Sequence, residues 1–291
     1  MEHADLFIVG AGAAGIAAAK AAYAAGCRSI LIADRQSDFG GVLVQCLHRG
    51  FGTDLTGPEY TKTLLSEFPQ EIRFCRNATV LSVSPDRTAV LSGAEFGLKQ
   101  ISFRRMILAA GCREIPLGAL PVTGTRPTGI YTAGQMQELV NLCGYTPEGP
   151  AVILGSGDLG LIMAVHLAER GVPVTLVEQK DSCGGLARNR RALERYRIPV
   201  LCGATLTEVF GAPHLEAVAV QTKETLQIIP CRTLLTAVGL RPEQELVAAL
   251  GSPDWLWLCG NCAAVHPMVE GVVQDGAAAG LAAARSTRGA L

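Results

Sequence analysis

Two short glycine patterns carry the clearest chemistry in this chain. Gly10, Gly12 and Gly15 form one G-x-G-x-x-G, and Gly155, Gly157 and Gly160 form a second. In such a pattern the first glycine permits a tight turn, the second lets the backbone approach a pyrophosphate, and the third lets helix and strand pack closely. An acid follows each pattern at the spacing a ribose requires, Asp34 after the first and Glu178 after the second. The chemistry these residues suit is the capture of dinucleotides, twice over.

The flanking sequence supplies the elements that must position them. Leu6-Phe7-Ile8-Val9 is an apolar run suited to a strand buried on both faces, Ala13 to Ala25 is an alanine-rich helix closed by Gly26, and Ser29 to Ala33 reads as the next parallel strand. The second unit repeats the order, with Ala151 to Leu154 as strand, Asp158 to Arg170 as helix and Val172 to Val177 as the strand that ends at Glu178. Each helix N-terminus offers positive potential to phosphates. One such pattern alone could be a structural turn, but its repetition with strand, helix and acid in place predicts two nucleotide cofactors.

Composition narrows the class. The chain has 291 residues, enough for one large or two modest domains, with 49% hydrophobic residues and a formal charge of −1. That charge makes no electrostatic case for nucleic acid or an anionic membrane. Ten cysteines without regular spacing read as reduced thiols, so a cytoplasmic setting is expected. The apolar N-terminal stretch lacks a basic flank and is broken by glycines, and no other run reaches the roughly 18 residues of a membrane helix.

With these motifs the chain resembles the two-dinucleotide-binding-domain flavoproteins, the group that contains thioredoxin reductase and the pyridine nucleotide-disulfide oxidoreductases. The resemblance implies an α/β fold of two Rossmann-like domains. An FAD domain of residues 1–116 plus 249–291 would be interrupted by an inserted NAD(P)H domain of residues 117–248. It also implies FAD contacts at Gly10, Gly12, Ala14, Gly15, Asp34, Arg35 and Gly41. Gly111, in Leu108-Ala109-Ala110-Gly111, resembles the segment at the handover to the inserted domain, and Gly239 resembles its counterpart at the return. Gly260-Asn261 stands where the group carries a Gly-Asp that holds the flavin ribityl chain. Pro116 to Pro150 reads as linker and a leading helix over Ala133 to Leu142.

Longer segments, among them GGVLVQCLHRGFG, LTGPEY, GSGDLGLIMA and CGNCAAVHPMVEGVVQDG, look like the FAD/NAD-dependent oxidoreductase subunits found beside glycerol-3-phosphate dehydrogenases. Similar sequences serve as alpha subunits of dye-linked proline dehydrogenases, opine oxidases and hydrogen cyanide synthase. The resemblance implies a partner dehydrogenase or electron-transfer subunit. This chain is much shorter than those relatives, running almost directly from Leu240 into Trp255 to Leu258. It leaves no room for a large C-terminal dimerisation domain, so a partner or a homo-oligomer would dock on the two domains themselves.

Glu178 would bond the 2′-hydroxyl of an NAD ribose and repel a 2′-phosphate, so NADH is expected over NADPH, with Lys180 the one nearby residue that argues the other way. The standard disulfide-reductase spacings are missing. Only Cys46 follows Gly40-Gly41, and Cys183, Cys202 and Cys231 lie far apart. Cys46 and His48 are candidate catalytic groups if their segment faces the isoalloxazine. Two readings of Cys46 stand side by side, a low-pKa thiolate or a small buried hydrophobe. His48 and His166 read as structural, and His266 precedes the last helix. Cys259 and Cys262 read as buried thiols flanking the Gly-Asn rather than as a disulfide. Besides an electron-transferring role within a complex, the alternatives are a stand-alone NADH oxidase or thiol reductase using Cys46, or a non-catalytic FAD-bearing subunit.

Overall fold

The computed structural model describes residues 2–288, so residues 1 and 289–291 of the expected first domain lie outside the described residues. Its contacts divide the chain into two compact units, one from the N-terminus to Arg113 and again from Arg241 onward, the other spanning Glu114–Leu240.

The first unit is built on a parallel sheet with the order Arg73–Cys75, Ile30–Ala33, Glu2–Val9, Gly97–Leu108 and Leu256–Leu258. Gly97–Leu108 serves two partners on one edge. Its end, Met106 to Leu108, pairs with Leu256–Leu258, while its beginning pairs antiparallel with Thr88–Gly93, which in turn pairs with Ala78–Ser84. Both faces of the central strand are covered. Leu6 and Ile8 enter one core with alanines of the helices α1 (Ala13–Ala24) and α6 (Val269–Arg288), and Phe7 and Val9 enter a second core beneath the antiparallel strands. This accounts for the continuous apolar run at Leu6 to Val9, because a strand covered on both faces has no polar side to alternate with. The short helix α2 (Gly57–Leu64) follows Gly41 and starts with a capping box between Thr56 and Glu59.

Small residues let α6 lie directly on α1. A Cβ placed on Gly276 would fall 2.3 Å from the carbonyl oxygen of Ala14, and one on Gly280 would fall 2.1 Å from that of Ala18. Glycine is required there by proximity.

The second unit repeats the plan. Its parallel sheet has the order Ile130–Thr132, Thr233–Thr236, Ala151–Leu154, Val174–Glu178 and Val200–Cys202. Helices α3 (Ala133–Leu142), α4 (Asp158–Glu169) and α5 (Ala187–Arg195) supply one core through Met136, Leu161, Leu167 and Leu193. A four-stranded sheet of Thr123–Gly124, Thr205–Phe210, Ala217–Gln221 and Leu226–Pro230 covers the opposite face. The two-domain α/β architecture expected from the repeated motifs is the one observed. No helix among the described residues is long and apolar enough to cross a membrane.

Candidate functional site

Each parallel sheet reverses its order beside its first glycine-linked strand, between Glu2–Val9 and Gly97–Leu108 in one unit and between Ala151–Leu154 and Thr233–Thr236 in the other. Ligands of open α/β sheets bind outside the carboxyl ends of the strands at such a reversal. Both glycine patterns sit there.

The two patterns fold alike. Gly10 has φ +108° and Gly155 φ +94°, and a Cβ on them would lie 2.3 Å from Ala109 O and 2.4 Å from Ala237 O respectively. Only glycine satisfies both the positive φ and the approach of the neighbouring strand's end. Gly15 and Gly160 pack the helix back onto the turn, since a Cβ there would lie 1.9 Å from Gly10 O and 2.2 Å from Gly155 O. The middle glycines differ in kind. Gly12 and Gly157 are the N-caps of α1 and α4, and a Cβ would meet only Gly41 Cα at 4.0 Å in the first case and nothing within 4 Å in the second. Space is therefore open over two helix N-termini, whose first-turn amides have no intrahelical acceptor.

The acids close each cradle in the same way. Asp34 accepts from the backbone N–H of Ala11 (2.6 Å) and of Gln36 (2.8 Å). Glu178 accepts from the N–H of Ser156 (2.8 Å) and of Lys180 (2.8 Å), and additionally from the Ser156 hydroxyl (2.6 Å). Burial works to raise the Glu178 carboxyl, but the Ser156 hydroxyl and the two amides outweigh it and hold the group below its ordinary value. It is an anion at neutral pH. Arg35 extends into solvent beside Asp34.

Further expected residues assemble in the first unit. Gly12 forms an isolated bridge with Gly40, and a Cβ on Gly41 would lie 3.1 Å from Gly12 Cα. Gly260 packs against Ala14, where a Cβ would fall 2.7 Å from that of the alanine. Its N–H donates to Asp275 Oδ2 at 2.6 Å, and the same oxygen lies 3.5 Å from His266 Nε2. Asn261 Oδ1 accepts from the His266 N–H at 2.9 Å, so the side chain folds its own loop and presents its amide nitrogen as the remaining donor. Gly111 (φ +76°) accepts at its carbonyl from Glu243 N–H at 3.0 Å, and in the second unit Gly239 (φ +136°) accepts from Ile115 N–H at 3.1 Å.

Cys46, Cys259 and Cys262 are all buried. Cys46 is buried, donates to Val42 O at 3.2 Å, and burial pushes its thiol up to about 12, opposite in direction to the thiolate that a catalytic role needs. His48 is half-buried, with its ring 5.2 Å from that of Phe51. Cys259 and Cys262 are fully buried and unbridged. Cys262 donates to Leu108 O at 2.9 Å, and burial raises both thiols. His166 is lowered, first by burial and then by Arg170.

Three residues of these cradles were not singled out by motif. Ser156 and Asp158 are two of the three variable positions of the second pattern, and Asp275 lies in α6. A serine next to the first glycine and an acid, Asp275, at the start of the glycine- and alanine-rich part of the last helix are the signals that could have found two of them.

The donor sets fit the groups they resemble. Each cradle offers glycine-bounded space, helix-terminal amides for a pyrophosphate and a fixed carboxylate for a ribose, the requirements of a dinucleotide in either unit. No group of His, Cys, Asp and Glu suited to a metal ion occurs among the described residues.

Comparison with known proteins agrees. The profile of the pyridine nucleotide-disulphide oxidoreductases matches residues 4–253. Among curated proteins, an opine oxidase subunit of Agrobacterium tumefaciens (strain Ach5) is 29% identical over 277 residues, covering 85% of this chain and 54% of the relative. Hydrogen cyanide synthase subunit HcnB of Pseudomonas protegens is 32% identical over 276 residues, covering 84% and 58%. The chain spans about half the length of the curated relatives it matches. Among solved structures, thioredoxin reductase of T. acidophilum superposes with a TM-score of 0.81 at 19% identity, covering 99% of this chain and 100% of that one.

Proposed function

This chain belongs to the pyridine nucleotide-disulphide oxidoreductase family, whose members are FAD-dependent oxidoreductases working with NAD(P)H, and on that premise we propose that it passes electrons between an FAD/NADH pair and a partner dehydrogenase. The observation that carries this reading is the pair of matching cradles, each with its glycine turn, open helix N-terminus and doubly anchored acid.

In this reading the first unit holds FAD. Gly10, Gly12 and the amides at Ala14 and Gly15 receive its pyrophosphate, Asp34 its adenosine ribose and the amide nitrogen of Asn261 its ribityl chain, with Arg35, Gly41, Gly111 and Gly260 lining the way. The second unit holds the nicotinamide nucleotide through Gly155, Gly157, Gly160 and Glu178, with Gly239 beside them. NADH is favoured over NADPH because a fixed, ionised Glu178 accepts from a 2′-hydroxyl and repels a 2′-phosphate. Bound flavin supplies hydride acceptance and onward electron transfer, while the protein contributes orientation and charge.

The names of the two relatives describe subunits, and this supports a partner subunit; by the resemblance of this chain's longer segments, that partner oxidises a substrate of glycerol-3-phosphate or amine and opine type. The alternative of a thiol reductase using Cys46 is disfavoured by that thiol's burial. Steady-state turnover separates the two. The chain alone should oxidise NADH only slowly with oxygen or small disulfides, and faster once the partner from the native cell is added. Fast disulfide turnover by the chain alone, lost in Cys46→Ser, would instead establish the thiol-reductase reading.

A further inference from the structure

The two cradles differ at one atom that matters. Next to the first glycine the N-terminal unit carries Ala11 and the other carries Ser156. Both use their N–H to hold the acid, but Ser156 adds a hydroxyl that lies wholly inside the protein. That hydroxyl donates its proton to Glu178 Oε2 at 2.6 Å and accepts the N–H of Gly184 at 2.7 Å, so its one proton and one of its two lone pairs are engaged.

Gly184 belongs to the segment that leaves Glu178 and leads into α5. The segment is fixed at three places. Lys180 N–H reaches Glu178 Oε1 at 2.8 Å, Gly184 N–H reaches Ser156, and Leu186 N–H together with Asn189 Nδ2 reaches Asp158 Oδ1, each at 2.7 Å. Within this arrangement Ser156 is the hub, since it alone joins the acid to the segment through a side chain. With Oε2 taking two donors from Ser156, the carboxylate cannot rotate, and Oε1 keeps a lone pair for an incoming hydroxyl. Lys180, the nearby cation able to answer a phosphate, is held by its backbone to the same carboxylate.

We propose that Ser156 is the positioning residue that sets the choice of pyridine nucleotide, its hydroxyl locking Glu178 and the Gln179–Leu186 segment in the arrangement that accepts a ribose 2′-hydroxyl and refuses a 2′-phosphate. This rests on the reading of the second cradle as the pyridine nucleotide site. Without the hydroxyl the carboxylate keeps two of its three donors, Gly184 loses its acceptor, and the segment carrying Lys180 can move toward a phosphate.

The test is calorimetric titration of the full flavin-loaded chain with NAD+ and with NADP+, which leave oxidised flavin unreduced. Ser156→Ala should bind NAD+ about tenfold more weakly, the worth of one hydrogen bond to a charged group, while its affinity for NADP+ holds or rises. Ser156→Thr, which keeps the hydroxyl, should retain the parent's preference, and unchanged FAD content will show that the fold survives. A purely structural role predicts equal losses for both nucleotides. Equal losses, or no change, in Ser156→Ala while Glu178→Ala still loses discrimination would overturn the assignment to Ser156. If Glu178→Ala also keeps the parent's preference, the reading of the cradle itself fails and the inference falls with it.

Discussion

Asp34 and Glu178 occupy matching places beside two separate parallel sheets, each carboxylate bridging the N–H that follows its first glycine and the N–H two residues beyond itself. A carboxylate tied at both oxygens is fixed in direction before any ligand arrives. That is the preorganisation a ribose site needs.

For Glu178 the consequence is measurable. Glu178→Ala should weaken NADH binding by about 1–2 kcal/mol, the loss of a charge-assisted hydrogen bond, and reduce discrimination against NADPH. The folded-state pKa of this group is depressed, so its contribution is present throughout the neutral range and is lost as pH falls through that lowered value. NADH affinity measured from pH 8 downward should stay flat through pH 6 and fall only below the ordinary carboxylate range. A fall centred near neutrality would mean that another group governs binding.

The flavin loop gives a second contrast. Cys259→Ala/Cys262→Ala should keep FAD and its reduction by NADH, because both thiols are buried, protonated and unbridged. Asn261→Ala removes the acceptor for His266 N–H as well as the proposed ribityl donor, and should loosen FAD by about 1 kcal/mol or more. Flavin release on dilution reads both. Loss of electron transfer to the natural acceptor in the cysteine variant, with normal flavin reduction, would identify a redox centre instead.

How much of this was legible in the sequence depends on distance along the chain. The strand, turn and helix at Gly10 and Gly155 are local, and glycine spacing with alanine propensity predicted the helices within a residue, as for α1, expected over Ala13 to Ala25 and observed at Ala13–Ala24, whereas the strand expected over Leu6 to Val9 begins four residues earlier, at Glu2. The acids follow from the same local rule. The state of Cys46 was not legible, because its burial comes from packing against the later Gly57, where a Cβ would fall 2.9 Å from that of Cys46. Nor was the link from Asp275 to Gly260, which depends on how α6 settles on α1.

That settling makes a prediction about stability. Ala at Gly276 or Gly280 gains helix propensity worth about 1 kcal/mol, but its Cβ overlaps a backbone carbonyl of α1, and overpacking of this kind costs about 1–3 kcal/mol. Both variants should melt at lower temperature and shed FAD sooner, since the glycine turn rides on α1. Leu281→Ala, at an exposed position of the same helix, should change little. Equal melting temperatures in all three would mean that the helices adjust without cost.

The thiols can be ranked by reagent. Iodoacetamide at pH 7.5 should reach the exposed Cys143 first and leave Cys46, Cys231, Cys259 and Cys262 unmodified in the folded protein. Since Cys46 and Cys231 are raised to about 12, the stability they lend is complete below the ordinary thiol value and declines as pH climbs toward 12. Early labelling of Cys46, read by peptide mass mapping, would restore it as a catalytic candidate.

Whether the two cradles hold FAD and NADH is decided by anaerobic titration of the purified chain with NADH while the flavin absorbance is followed. The protein should be yellow, and its oxidised-flavin bands should bleach in proportion to the NADH added, with NADPH less effective. A chain that takes up no FAD, or one whose bound flavin stays oxidised under excess NADH and NADPH alike, would contradict this expectation.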